Sequence, residues 1–314
     1  MAVFLHTFEK LFPLYFFIAL GALLARTGVL PKSMEVPLSR FIFISFISAN
    51  LFVSVYQADL GRAVDARALV FAVISVLLQA VFGVWYAGRT VKYKPAASIV
   101  AQSFYRTNFG LHGLIYAGLL YGAESVGAAS ILIAATVPLY NILSVIIFEF
   151  MSGRRPSPKS MLVNVLKNPV VLSVSAALLL QLFQIRLPDM LMNPLGQLAA
   201  AGTPLPLIAA GAAMTFSGLR AKGRLVARAA LIRLIWVPIV FIPAALLLGF
   251  RDRTLLSILV AFGGPVATPL PAMAFDLGGD GELAAQLVAV TLVLSLFTLH
   301  FSILLLEGLG FISF

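Results

Sequence analysis

Residues 101–117, AQSFYRTNFGLHGLIYA, decide how this chain is read. The stretch is apolar enough to lie in a bilayer, yet its middle carries Arg106, Asn108, Gly110, His112 and Gly113. A second stretch, 258–274, ILVAFGGPVATPLPAMA, interrupts its own helical pattern with Gly263, Gly264, Pro265, Pro269 and Pro271. Proline removes a backbone donor and clashes with the preceding turn, so this segment is not a straight helix. Glycine lets another backbone come close. The two stretches begin 157 residues apart, half of the 314-residue chain. Interrupted apolar segments at matching places in two halves point to broken helices that meet at mid-membrane around a solute site.

The rest of the composition agrees with a lipid solvent. Hydrophobic residues make up 61% of the chain and charged residues 11%, against about 45–50% and about 25% in soluble domains. Repeated apolar runs match the roughly 17–25 residues that cross a hydrocarbon core. They do not alternate as barrel strands would, so the fold class is an all-α polytopic membrane protein. There is no cysteine, which removes disulfide, thiolate and zinc-thiolate chemistry. The net charge of +10 is spread along the flanks of apolar runs, which argues for a topogenic role and against nucleic acid. The N-terminus has no basic region ahead of its apolar part, so it reads as a first span and not as a cleaved leader.

Ten spans are expected, at 8–26, 35–57, 67–89, 96–121, 125–150, 163–184, 194–217, 227–249, 254–275 and 283–306. The most hydrophilic segment, SGRRPSPKS at 152–160, divides a first repeat (1–151) from a second (161–314). A shift of 157 carries span onto span and places Asn108 on Pro265. Five spans per copy means that the second copy enters from the opposite face, an inverted repeat. Lys and Arg number fourteen on the face of the midpoint linker and six on the other. That excess puts the linker in the cytoplasm and both termini outside the cell membrane.

The candidate substrate-binding residues are Arg106, Asn108, Gly110, His112, Gly264, Pro265, Thr268 and Asn50. An arginine within a span costs about 2.5–3.5 kcal/mol on insertion scales, so it faces a cavity or a partner. Beside freed half-helix termini it suits a carboxylate, held by a bidentate pair. A snorkelling role at the cytoplasmic boundary is the alternative. Asn108 can bond a solute or cap the second half-helix, and His112 can relay a proton or pack. Gly202, Pro204, Pro206 and Gly211 make span seven thin, first for packing or dimer contact and second for lining a path. Asn50 is its polar counterpart in span two. Gly118 and Gly122 are assigned to packing, Arg233 and Glu149 to the interface, His300 to packing, and Asp276 to a solvated cap. No metal, nucleotide or hydrolase motif occurs, so an enzyme is the weakest reading and no cofactor is implied.

Several segments together resemble the auxin efflux carrier family, in order and spacing, over nearly the whole chain. They are LYFFIALGALLARTGVLP, RTNFGLHGL followed by Gly122, KNPVVLSVSAALLLQ, TPLPLIAAGAAM and GGPVATPLPAMAFDLGGD. The resemblance implies ten transmembrane helices in a 5+5 inverted repeat with crossed, broken helices four and nine, as in bile-acid symporters. It implies a scaffold of spans one, two, six and seven, and a moving domain of the remainder. It also implies a small organic anion as substrate, of malate, malonate or auxin type, with Asn108 and Pro265 at the crossing. One departure is Ile115, where many members have proline, so the break in span four is expected to rest on Gly110 and Gly113. Carriage of a cation or neutral solute, and a receptor role, are the other readings. A coupling proton or sodium ion, membrane lipid and a homodimer are the expected partners.

Overall fold

The computed structural model describes residues 2–57, 65–122, 126–152, 169–202, 204–212 and 219–313. Nearly all of the midpoint linker, Glu124, and parts of expected spans six and seven lie outside them. Among the described residues the fold is helical, with helices on each stretch read as a span. They are α1 (Ala2–Arg26), α2 (Glu35–Ile42), α3 (Ser48–Gln57), α4 (Ala66–Thr90), α5 (Lys94–Ser103), α6 (Phe109–Tyr121), α7 (Val126–Ser152) and α8 (Pro169–Leu182). After these come α9 (Asp189–Ala201), α10 (Pro204–Ala212), α11 (Leu219–Leu231), α12 (Val237–Leu247), α13 (Asp252–Gly263), α14 (Leu270–Leu277) and α15 (Gly281–Gly308). Among the described residues, six stretches are long and apolar enough to cross a membrane, and Phe12–Arg26 and Phe109–Tyr121 are shorter apolar helices. Single π-helical turns at Phe43–Ile47 and Ile232–Trp236 join α2 to α3 and α11 to α12.

The surface confirms the solvent. Large apolar side chains point outward, among them Val81, Phe82, Leu247 and Phe297. Gln79, Gln102, Arg106, Arg233, Gln286 and Thr291 are buried instead. Exposed apolar area on this scale would be costly in water and costs nothing in lipid, while buried polar groups need partners.

Two packing units organise the helices. In one, α1 lies on α10, and α3 lies on α8 and α9. Ideal Cβ atoms built on Gly21 and Gly211 would fall 1.9 Å from the Ile208 carbonyl oxygen and 2.0 Å from that of Ile18. Only glycine permits that approach, which bears out the packing reading of span seven. Gln181 ties α8 to α3 by donating to the carbonyls of Val55 (2.8 Å) and Tyr56 (2.7 Å). In the other unit, α4, α5, α6 and α7 pack together, as do α11 to α15, and α6 lies on α13. Within it, Gly122 closes α6 at φ +82° with open space around a Cβ. Gly122 therefore ends α6 in a positive-φ conformation that favours glycine, and the packing that the sequence suggests finds no contact there among the described residues.

Candidate functional site at the helix crossing

The stretches expected as spans four and nine are both broken, and the breaks touch. The chain leaves helical geometry between α5 and α6, and again between α13 and α14. The two unwound segments run antiparallel and form one isolated bridge, Thr107 to Val266. The Asn108 amide donates to the Pro265 carbonyl at 2.8 Å, and the Ala267 amide to the Arg106 carbonyl at 3.1 Å. The Thr107 hydroxyl donates to the same Pro265 carbonyl at 3.0 Å. Val266 completes the exchange by donating to the Thr291 hydroxyl on α15 at 3.1 Å. Irregular backbone inside a membrane survives only if its polar groups find partners within the protein, and here each break supplies partners to the other.

The position of the first break corrects the sequence reading. Gly110 and Gly113 do not make it; both lie inside α6, which begins at Phe109. The break falls earlier, where Asn108 spends its backbone amide on Pro265 and not on its own helix. Gly113 instead leaves room for the Phe109 ring, which a Cβ would meet at 2.5 Å.

Arg233 holds the crossing from behind. The sequence reading put it at the interface, but it is 0% exposed and sits in the π-helical turn of span eight. Its Nε donates to the Gly264 carbonyl at 2.9 Å, one Nη to the Phe104 carbonyl at 2.7 Å and the other to the Ala261 carbonyl at 2.6 Å. Those carbonyls belong to the C-terminal ends of α5 and α13, where each helix dipole places about half a negative charge. One guanidinium therefore neutralises two half-helix ends and fixes their spacing. A lone charge in an apolar span was the signal in the sequence; its partners, backbone carbonyls distant in the chain, were not legible.

Arg106 is also buried, at 2% exposure, so it does not snorkel. It bonds mainly to α7, with one Nη donating to the Ser144 hydroxyl and to the Tyr140 carbonyl at 3.3 Å. The other Nη reaches Asn141 Oδ1 at 3.1 Å and the Met273 sulfur at 2.9 Å. Bidentate capture of a carboxylate would require these bonds to be exchanged. Neither arginine has an acidic partner among the described residues.

The N-terminal ends of α6 and α14 face the crossing from the opposite side. Asn108 caps α6 by position without a side-chain cap bond, and its Nδ2 has no partner among the described residues. The same holds for Arg106 Nε and His112 Nε2. His112 Nδ1 lies 3.3 Å from the Asn108 carbonyl, which can only accept, so Nδ1 carries the proton and Nε2 is the free position. Gly264 and Pro265 are buried in the second break, and Thr268 is half-buried there. Gly110 is half-buried in the first turn of α6. The structure thus brings seven of the eight candidates to the two breaks. Asn50 belongs elsewhere: its amide donates to the Ala199 carbonyl at 2.9 Å, beside the break of span seven at Gly202. Buried Gln79 and Gln102 were not singled out in the sequence, and their side-chain amides also lack partners among the described residues.

Residues 154–303 match the family model described as membrane transport protein, the auxin efflux carrier domain. The second half of the chain carries this family's domain. The match includes Arg233 and the whole of the second break, and supports the resemblance first read from the motifs. Multiple apolar helices together with this family make the chain a multi-pass membrane transporter. No curated protein matches the chain.

Proposed function

We propose that this transporter is a secondary carrier for a small organic anion, a carboxylate of the malate, malonate or auxin type. The observation that carries the reading is the charge of the crossing. Two buried guanidinium groups, two helix C-termini of about −0.5 each and two N-termini of about +0.5 each leave an excess near +2. Among the described residues no carboxylate pairs with either arginine. The unpartnered nitrogens of Asn108 and Arg106 are donors, suited to acceptor oxygens. An anion supplies both the missing charge and the missing acceptors.

The proposed architecture is ten spans in two inverted five-span copies, with both termini outside the cell membrane. The residues that a shift of 157 superposes, Asn108 and Pro265, are the pair that hydrogen-bond. A two-fold axis relating the halves would pass through that pair, which supports the repeat. Packing of α1 on α10 and of α3 on α8 and α9, closer than their packing on α6, α7 and α15, supports a scaffold and a moving domain. Movement of the crossing past the scaffold, elevator fashion, is the proposed transport step. A proton or sodium ion is the proposed coupling partner.

The test is uptake of labelled dicarboxylic and aromatic acids by the purified protein in proteoliposomes. Transport of an organic acid is expected, with Arg106→Ala and Asn108→Ala both losing at least about tenfold, the worth of about 1.4 kcal/mol. Folding of each variant is checked by its melting temperature. If folded Arg106→Ala carries the acid as the parent does, the anion assignment fails and a neutral or cationic solute takes its place.

A further inference from the structure

We propose that the cytoplasmic half of span eight binds an anionic phospholipid, with one acyl chain in a groove between α11 and α15 and the headgroup on Arg224 and Arg228. A groove of about 420 Å³ runs between these helices. Gly223, Ala227, Ala230 and Ile235 line one wall, and Val290 and Leu294 the other. The small residues at 223, 227 and 230 create the hollow. From Gly223 to Ile235 is twelve residues, about 18 Å at 1.5 Å per residue. That is close to the half-thickness of a hydrocarbon core of about 30 Å, so the groove has the length of one leaflet's chain.

Charge identifies the occupant. Arg224 and Arg228 stand at helical spacing from Leu231 and Ile235, so the two arginines flank the Gly223 end of the groove. Both are exposed, and neither has an ion pair or hydrogen bond to a described residue. The nearby Lys222 does not compete for a headgroup, because Asp280 (2.8 Å) and Glu282 (2.9 Å) already neutralise it. An apolar slot flanked at one end by two uncommitted arginines is the arrangement that selects an anionic lipid.

The experiment is native mass spectrometry of the full chain in detergent, supplied with equal phosphatidylglycerol and phosphatidylcholine of the same chain length. The parent is expected to retain phosphatidylglycerol preferentially, by about fivefold per arginine at the rim. Arg224→Gln with Arg228→Gln is expected to equalise the two lipids while leaving uptake activity in place. Ala230→Phe, which fills the slot, is expected to lower retention of both, with melting temperatures confirming that the variants fold. Equal retention of the two lipids by the parent overturns the proposal, as does an unchanged preference in the double arginine variant. A lipid-free dimer as the main species also overturns it, since the groove would then be covered by a second copy. Soluble glycerophosphate that displaces phosphatidylglycerol would show a headgroup site without the slot, and likewise overturns the proposal.

Discussion

At the scale of the residue, the crossing depends most on Arg233. Its three acceptors are backbone carbonyls that would otherwise be buried beside two helix ends of like sign. Leaving one buried acceptor unsatisfied costs about 1–3 kcal/mol, so losing all three threatens both breaks together. Arg233→Met is expected to abolish uptake in proteoliposomes and to lower the melting temperature. Arg233→Lys keeps the charge but reaches fewer carbonyls, so it should recover stability more than transport. If Arg233→Met transports normally, compensation of the helix ends is not needed. The same scale shows why Asn108 and Arg233 were unequally legible. Asn108 stands among glycines within a visibly interrupted stretch, whereas Arg233 lies in an unbroken apolar run and acts only on distant backbone.

At the scale of the element, glycines divide by what faces them. Gly211 in α10 and Gly21 in α1 meet carbonyl oxygens of the facing helix, while Gly88 in α4 has open space around it. Overpacking a fitted interface costs about 1–3 kcal/mol, and rigid backbone gives way less readily than a side chain. Gly211→Ala should therefore lower the melting temperature by several degrees. Gly88→Ala should be neutral or stabilising by about 0.5–1 kcal/mol, because it relieves the entropic penalty of a helical glycine. Similar melting temperatures for the two variants would show that α1 and α10 are not held as closely as their backbones indicate. The thinness of span seven was legible from its composition. Which helix fills the space beside it was not, because nothing local to α10 specifies α1.

At the scale of the molecule, the two packing units meet along α1, which touches α6 and α15, and along α3 and α8, which touch α7. Tyr15 on α1 lies 3.4 Å from His300 on α15 and donates to the Leu296 carbonyl at 3.3 Å. If the units slide past one another during transport, this contact breaks in every cycle. The chain has no cysteine, so Tyr15→Cys with His300→Cys gives a clean background for a short bifunctional maleimide. Cross-linking is expected to stop uptake, and each single variant treated alike should stay active. A cross-linked protein that still transports would rule out relative movement at this boundary.

The amino-acid order by itself determined the solvent, the helices and the two places where a helix must fail. Apolar run length, charge placement and proline chemistry act over a few residues and need no partner to be read. Only the tertiary structure decided that the breaks meet through Asn108 and Pro265, and that span four opens at 104–108 and not at its glycines. It alone decided that Arg106 is committed to α7 and that Arg233 spans both helix ends. Those outcomes depend on hydrogen bonds between segments more than a hundred residues apart, or between neighbouring spans, and a backbone carbonyl leaves no mark on the sequence that shows which donor it will receive.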